Sequence, residues 1–459
     1  MYLGHHHGVR RETGEPQLVF NYFRGFTDFI VRFTFGNGVH FRSPKATEAI
    51  VPDLLKMVWE VHNDKEKVLL EIGQTGSISG DSFTKVAWEP EYVDPAGNYH
   101  EGRVRILPLN PSFCMPVDDT EVLTRRGWLS ADDLTTDDQV LSLEPDSDEL
   151  VWADVEAINI YDWDGPMHSW ESERFSALST PDHRWVFQTK RGRRVIRTSE
   201  EISRTTNSGA LVLAGGTPTH FSTEAKYTDE FVELVGWVVT EGNLRRVDRG
   251  HGEGFSLSQN ERVYPDFVAR IRRLAKHYRD LGMVFTENGT RDDGLVQWYG
   301  GVDLGREIRT VLGDSKSLLP EFLTSLTFGQ ANLLYNTLMD GDGDARRSHG
   351  EFFYQNNWEA MDSFQMLAMM LGKRSTARIR KKDSTAPNGM AYTAQNDGLV
   401  SVYQNRTHNQ QNLHQRVEHY TGRVWCPTTS TGTWVARRKE VMQDGSGKKV
   451  IYLTGNCFP

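Results

Sequence analysis

The sequence is poor in cysteine, in long apolar runs and in positive charge. Only Cys114, Cys426 and Cys457 occur in 459 residues. An odd count of three is too few for a disulfide framework or a four-thiolate zinc site. The longest uncharged apolar runs, such as Leu234 to Thr240, fall far short of the roughly 18 to 20 residues a membrane span needs, and no signal-type apolar segment follows Met1. A soluble, intracellular chain with no membrane partner is expected. Against 62 acidic residues stand 52 basic ones, for a net charge of -10. That excludes a polycation that coats nucleic acid, so any such contact needs a local patch. The length exceeds one compact core and implies roughly three domains.

What is present changes along the chain. Residues 1–113 read as mixed α/β, with a helical pattern opening at Ser43-Pro44 that puts Leu54, Val58 and Val61 on one face. Strand-like runs follow at Val68 to Ile72, Phe83 to Trp88 and Arg103 to Leu109. From Cys114 the texture becomes short β-type runs with turn residues: Thr120 to Thr124, Gln139 to Leu143, Val155 to Tyr161 and Arg184 to Gln188. Beyond a Gly/Thr/Ser-rich stretch at 205–223, helical periodicity appears at Phe231 to Thr240, Tyr264 to Leu281, Ala331 to Met339 and Trp358 to Leu371. Short strands return after about residue 400, as if a helix-rich block were inserted into an all-β domain.

The inserted block repeats itself. One copy runs from a helix ending Val238-Val239-Thr240-Glu241-Gly242 to a strand ending Gln259-Asn260 and a helix reaching Leu281-Gly282. The other runs from Leu338-Met339-Asp340-Gly341-Asp342-Gly343 to Gln355-Asn356 and a helix reaching Leu371-Gly372. Each copy places an acid before a glycine at a helix end.

These blocks, with Cys114-Met115-Pro116-Val117-Asp118-Asp119-Thr120, Thr180-Pro181-Asp182-His183, Val424-Trp425-Cys426-Pro427 and Leu453-Thr454-Gly455-Asn456-Cys457, resemble an intein that carries a LAGLIDADG (dodecapeptide, DOD-type) homing endonuclease. The resemblance covers 114–456. It implies an α+β multidomain chain: an N-terminal flank at 1–113, an all-β, horseshoe-like Hint splicing domain in two parts at 114–221 and 401–456, a pseudo-twofold αββαββα endonuclease at 222–400, and a downstream stub at 457–459. A runner-up keeps the splicing element but makes the endonuclease an inactive relic in a structural precursor.

Self-excision needs a nucleophile that attacks the carbonyl at the upstream junction. It also needs an acid for the departing amide nitrogen and a donor for the oxyanion. Cys114 fits the first role from its position after Phe113. The resemblance makes His183 the acid/base and Thr180 the orienting hydroxyl. At the downstream end, Asn456 can cyclise on its own carbonyl and Cys457 can accept the acyl group, joining Phe113 to Cys457. The sequence has Gly455 where the family usually has His. Trp185, Cys426 and Thr454 match a noncontiguous trio of a less common intein class, in which the internal cysteine forms the branch. The sequence therefore has features of both routes, and Cys426 is the expected branch point, with Cys114 dispensable or auxiliary. No cofactor is expected for splicing.

Cutting two DNA strands by hydrolysis needs a divalent cation on hard oxygen ligands, with at least one acid per strand. Glu241 and Asp342 are the candidate magnesium ligands, and Asp340 reads as structural. Gly236 should let two helices cross closely, while Thr337 at the equivalent place suggests looser packing. By resemblance Gln259 and Gln355 order water near the metal and Lys316 steadies phosphorane charge. Residues 222–400 carry 22 Lys/Arg and 25 Asp/Glu, so basic charge must be local. One cluster holds Arg270, Arg272, Arg273, Lys276 and Arg279; the other holds Lys373, Arg374, Arg378, Arg380, Lys381 and Lys382. Arg270, Arg273, Lys373, Arg374, Arg378, Arg380 and Lys382 are the expected contacts to double-stranded DNA, the intein-free allele, with Arg378 and Arg380 on one sheet face. Two copies in one chain imply a pseudo-symmetric monomer.

The flank resembles portal or head proteins of tailed phages, less specifically. That implies a precursor in the host cytoplasm, with the flank destined for a virion.

Overall fold

The structure is a computed structural model. It describes residues 22–35, 50–79, 83–89, 91–93, 99–100, 102–109, 114–244, 252–313, 315–344, 350–381, 384–385, 391–392 and 396–456. Phe113, Lys382 and Cys457 lie outside the described residues. The chain divides into two compact units, Met1–Ser112 and Phe113–Pro459. The architecture is mixed α+β with largely antiparallel sheets, and no described helix is long and apolar enough to cross a membrane.

In the first unit, helices Tyr22–Phe35, Ile50–Lys56 and Lys65–Ser79 accompany an antiparallel pair, Phe83–Glu89 with Arg103–Leu109. The strand expected at Val68 to Ile72 is instead part of helix Lys65–Ser79. The Asp64 side chain accepts the Lys67 N–H at 3.1 Å and its carbonyl takes the Val68 N–H. That cap starts a helix, and five apolar-rich residues are too few to separate helix from strand by period. Leu54 and Val61 are exposed, so the expected apolar face is not buried among the described residues.

The second unit is organised around one long sheet. From one edge it runs through Gly343–Asp344, Glu351–Tyr354, Asn396–Tyr403, Arg374–Lys381, Gly447–Gly455, Thr433–Val441, Thr120–Thr124, Gln139–Glu144, Glu149–Ser172, His414–Thr429 and Met115–Pro116. Its spine is the antiparallel pairing of the 24-residue Glu149–Ser172 with His414–Thr429. The inserted block is therefore joined to the β-domain by strand pairing: Thr376 faces Val450 and Ile379 faces Gly447. Residue 400, the expected end of the block, falls inside strand Asn396–Tyr403.

The repeat has a structural counterpart. Helix Asp229–Glu241 leads into a four-stranded order Gly242–Leu244, Phe255–Asn260, Leu295–Gly300, Phe285–Thr290. Helix Phe328–Asp342 leads into Gly343–Asp344, Glu351–Tyr354, Asn396–Tyr403, Arg374–Lys381, the same order of pairing. Thr228 and Thr327 cap the two helices by accepting N–H groups three residues on. The helices pack glycine against threonine twice. A Cβ on Gly236 would come 2.8 Å from Thr337 Cγ2, and one on Gly341 would come 2.5 Å from Thr240 Cβ. Thr337 does not loosen the crossing as expected; it fills the space Gly236 leaves, so only glycine fits opposite it.

A charged cluster ties the block's last helix, Trp358–Met370, to the β-domain. Arg437, 1% exposed, donates to Glu121 at 2.8 Å through Nε and to Asp362 at 2.7 Å through Nη1. Its guanidinium lies 4.2 Å from the Trp128 ring centre. Lys449 and Lys439 supply further donors to Asp362 and Glu121. Removing one partner of a buried cluster leaves charges uncompensated. Arg437→Met is expected to cost about 3 kcal/mol, read as a lower urea midpoint with unchanged dependence on denaturant.

Candidate functional site: two centres

The first centre gathers both ends of the 114–456 segment. Thr180 Oγ1 accepts the Cys114 N–H at 2.6 Å and donates to the Cys114 carbonyl at 3.0 Å. That N–H belongs to the Phe113–Cys114 peptide bond. The His183 N–H then bonds the Thr180 carbonyl at 3.1 Å, and His183 Nε2 lies 2.5 Å from Thr454 Oγ1. Trp185 stands edge-on to the imidazole with centroids 5.1 Å apart, and is fixed by Nε1 donating to Ser199 Oγ at 2.8 Å. Cys114, Thr180, His183, Trp185, Cys426, Thr454 and Asn456 are all buried.

Strand pairing brings the two cysteines together. Trp425 is opposite Met115 and Val424 opposite Pro116, so Cys426 and Cys114 are the next residues along the two antiparallel strands. Asn159 Nδ2 holds the Cys426 carbonyl at 3.3 Å. Tyr161, beside Val424 in the register, is pushed above the usual phenol range by burial and by the Cys114 sulfur near it.

At the other end, Thr429 does what no sequence motif announced. Asn456 Nδ2 donates to the Thr429 carbonyl at 2.8 Å, and Thr429 Oγ1 lies 3.0 Å from Asn456 Oδ1. The hydroxyl is also 2.7 Å from the Thr433 carbonyl. The ladder between His414–Thr429 and Glu149–Ser172 slips in register between Thr428 and Thr429. Such a bulge re-aims a side chain next to a site. Gly455 sits close against Arg184: a Cβ there would meet Arg184 Cβ and its carbonyl at 3.0 Å, so a larger residue needs Arg184 to shift by a few tenths of an ångström.

The second centre lies at the C-terminal ends of the paired helices. Gln259 Nε2 donates to Glu241 at 3.0 Å and Gln355 Nε2 to Asp342 at 2.6 Å, one glutamine per copy. Lys316 Nζ donates to the Val239 and Gly242 carbonyls, both at 2.8 Å, so its ammonium sits on the helix end beside Glu241. Its backbone is left-handed, with φ of 59°, a conformation kept by the Gly313–Ser317 turn, where Lys316 N–H bonds the Gly313 carbonyl. Burial pushes Glu241 above the usual carboxylate range, against Gln259 and Lys316. Burial and the facing Glu241 charge push Asp342 up to about 7, with Lys316 and Gln355 opposing. Burial draws Lys316 below the usual amine range, with both acids opposing. Two half-buried acids against one lysine leave surplus negative charge beside a cleft of about 450 Å³ that Asp342, Gln355 and Lys316 line. Hard oxygens with surplus charge suit a hard divalent cation.

No protein-family model matches the chain. An ATP-dependent Clp protease proteolytic subunit from Chlamydomonas moewusii is 34% identical over 76 residues, 17% of this chain and 7% of that protein. The matched stretch is thus a small part of either. Among solved structures, a splice-inactive, GSH-linked variant of the AceL NrdHF class 3 split intein aligns with 75% of this chain and 98% of its own, at 6% identity and a TM-score of 0.26. The homing endonuclease I-WcaI bound to its DNA recognition sequence aligns with 39% of this chain and 77% of its own, at 8% identity and a TM-score of 0.24.

Most of the basic residues expected to face DNA are engaged elsewhere. Arg270 bonds Glu233 at 2.7 Å and Asp340 at 2.5 Å and lies over Trp237, so it bridges the two crossing helices. Arg273 pairs with Glu233, Arg272 with Glu261 and Glu287, and Lys276 with Asp280. Four of the five basic residues in this cluster thus have an acidic partner, although Arg273 and Lys276 stay largely exposed. Lys373 is likewise held by Glu351 at 3.0 Å and lies over Tyr335. Arg374 is buried at the start of its strand. Arg378 and Arg380 remain on an open face, lining a groove of about 340 Å³ with Thr376, Ser401 and Tyr403.

Proposed function

We propose that the chain is a self-splicing intein whose inserted double module cuts duplex DNA. The observation that carries the splicing half is the bonded path Cys114 N–H, Thr180, His183, Thr454, with Asn456 two residues further on. It gathers around one imidazole the residues that break an amide at one end of a segment and release the other end.

The chemistry follows from these contacts. A cysteine sulfur attacks the Phe113 carbonyl carbon, the C–N bond to Cys114 breaks, and the nitrogen leaves with a proton that His183 can supply. Thr180 aligns that nitrogen, while Thr454 and Trp185 orient the imidazole. The acyl group passes from sulfur to the Cys457 sulfur. Asn456 Nδ2 then attacks its own carbonyl, freeing the Cys457 amine, and an S-to-N shift leaves a Phe113–Cys457 peptide bond. Thr429 assists the cyclisation. Its carbonyl accepts an Nδ2 hydrogen and so aligns the nitrogen and faces the proton that must leave it, while its hydroxyl donates to Oδ1, where charge gathers as that proton is lost. Thr429→Val is expected to slow Asn456 cyclisation roughly tenfold, the effect of the one hydroxyl bond to Asn456 that it removes at about 1.4 kcal/mol per decade. Thiol-induced cleavage after Phe113 should keep its rate, and Thr429→Ser should restore cyclisation.

For the second activity, Glu241 and Asp342 would hold magnesium, which supplies positive charge at the scissile phosphate. Gln259 and Gln355 fix the two carboxylates, Lys316 adds a cation beside them, and Arg378 and Arg380 offer charge to the backbone. Intact masses after expression test the splicing reading: excised 114–456 and a ligated flank are expected, and a stable 459-residue chain in thiol-preserving buffer refutes it. Incubating excised protein with the uninterrupted flank gene and magnesium tests the nuclease; an uncut substrate makes the block a relic. Nothing in the described residues of the flank bears on its resemblance to phage head proteins.

A further inference from the structure

Arg374 is 3% exposed, yet no carboxylate is paired with it among the described residues. Its Nη2 donates to the Arg174 carbonyl at 2.6 Å and lies 3.4 Å from His408 Nδ1. Its Nε makes no hydrogen bond among the described residues, and nor does the buried His408 Nε2, although the Asn412 backbone lies near enough to the His408 ring to oppose the lowering of its pKa. Arg174 and Arg374 both lie over the Tyr403 ring, at 5.3 and 5.0 Å. Burial, with Arg174 nearby, lowers Arg374 to about 10, and burial with both arginines lowers His408 to about 4. Buried charges are ordinarily paired, because desolvation is costly without a counter-charge. Here the buried Arg374 has no paired carboxylate among the described residues, and it meets the exposed Arg174 and the His408 imidazole around a cavity of about 280 Å³ whose walls include Asn405 and Asn412.

We propose that this cavity is a phosphate-binding site, at the seam between the strand that starts at Arg374 and the strand Thr407–Asn409 that carries His408. Arginine presents paired N–H donors that match phosphate oxygens, and neutral His408 offers one more N–H. The phosphate is either a DNA backbone group or a free ion. The cavity shares Arg174 and Tyr403 with the groove of Arg378 and Arg380, which favours a backbone phosphate at the end of that groove. The DNA source rests on the nuclease reading; the anion site does not.

The test uses purified protein, inorganic phosphate and a fluorescent DNA duplex. Arg174 is exposed, so Arg174→Gln spares the core. Phosphate should bind once per chain by calorimetry, and Arg174→Gln and His408→Gln should each weaken it at least about tenfold, the value of one good charge-assisted bond. If the source is DNA, Arg174→Gln also weakens duplex binding and lowers the slope of log affinity against log salt by about one. If it is a free ion, duplex affinity and slope stay put while phosphate binding falls. No phosphate binding by the parent protein, or binding that both variants retain, overturns the site. A protein that binds phosphate through Arg174 but cuts no DNA overturns only the nuclease reading.

Discussion

A precursor carrying Cys426→Ala will stay joined at Phe113–Cys114, while Cys114→Ala will still yield ligated product. Cys114 is a thiol and Cys426 is disulfide-bonded, so the variants are compared under reducing conditions, which free the Cys426 sulfur. The strand register makes the two cysteines neighbours, so proximity does not decide between them. The surroundings of His183 do. Trp185 and Thr454 fix the imidazole, and these are the residues that accompany an internal cysteine nucleophile in the resemblance. Cys114, in contrast, has its N–H and carbonyl both held by Thr180, which suits the first residue of a leaving amine. With the attacking sulfur gone, nucleophilic catalysis is lost outright, and upstream cleavage should fall at least about 10³-fold. Intact mass with time distinguishes the two variants. Failure of Cys114→Ala together with normal splicing of Cys426→Ala would move the branch to Cys114.

Asp342→Asn and Glu241→Gln will each abolish cutting while leaving a better-behaved fold. Loss of one metal-binding charge should lower cleavage about 10³-fold, equivalent to roughly 4 kcal/mol of transition-state stabilisation. The sign for stability is opposite. Asp342 has its folded value raised from 3.8 to about 7, so the folded chain holds a proton that the unfolded chain has released. Stability without metal therefore falls as pH rises from about 4 to 7. Asp342→Asn removes that dependence, and its melting midpoint at pH 8 should exceed the parent's. Magnesium should raise the parent's midpoint and leave the variant's nearly unmoved. A variant that melts lower at pH 8 and still cuts would mean that Asp342 is only a helix terminus.

The inserted helices were legible because their apolar residues recur every third or fourth position. Phe231 to Thr240 was expected and Asp229–Glu241 is found; the Tyr264 pattern gives Pro265–Asp280. The DNA face was legible only in part. Arg378 and Arg380 share a face by simple alternation, but a count of basic residues cannot see which acids fold beside them. Glu233 and Asp340 reach Arg270 from 37 and 70 positions away. Thr429 was invisible for another reason: one of its two bonds to Asn456 comes from its backbone carbonyl, and a register slip outside any motif aims its hydroxyl for the other. Gly455 could be noticed as a departure, but its close contact with Arg184, 271 positions earlier, could not.

The strand Gly447–Gly455 belongs to both halves of the molecule. Its end carries Thr454 against His183, and its beginning pairs with Arg374–Lys381 of the inserted block. A shortened form made by cutting out 222–400 would thus create a raw edge. Backbone donors and acceptors from Gly447 to Val450 would lose their neighbour, and Lys449 and Arg437 would lose Asp362. Such an edge invites sheet-to-sheet association between molecules, so the minimal element must either cap that edge or keep Arg374–Lys381 as a guard strand.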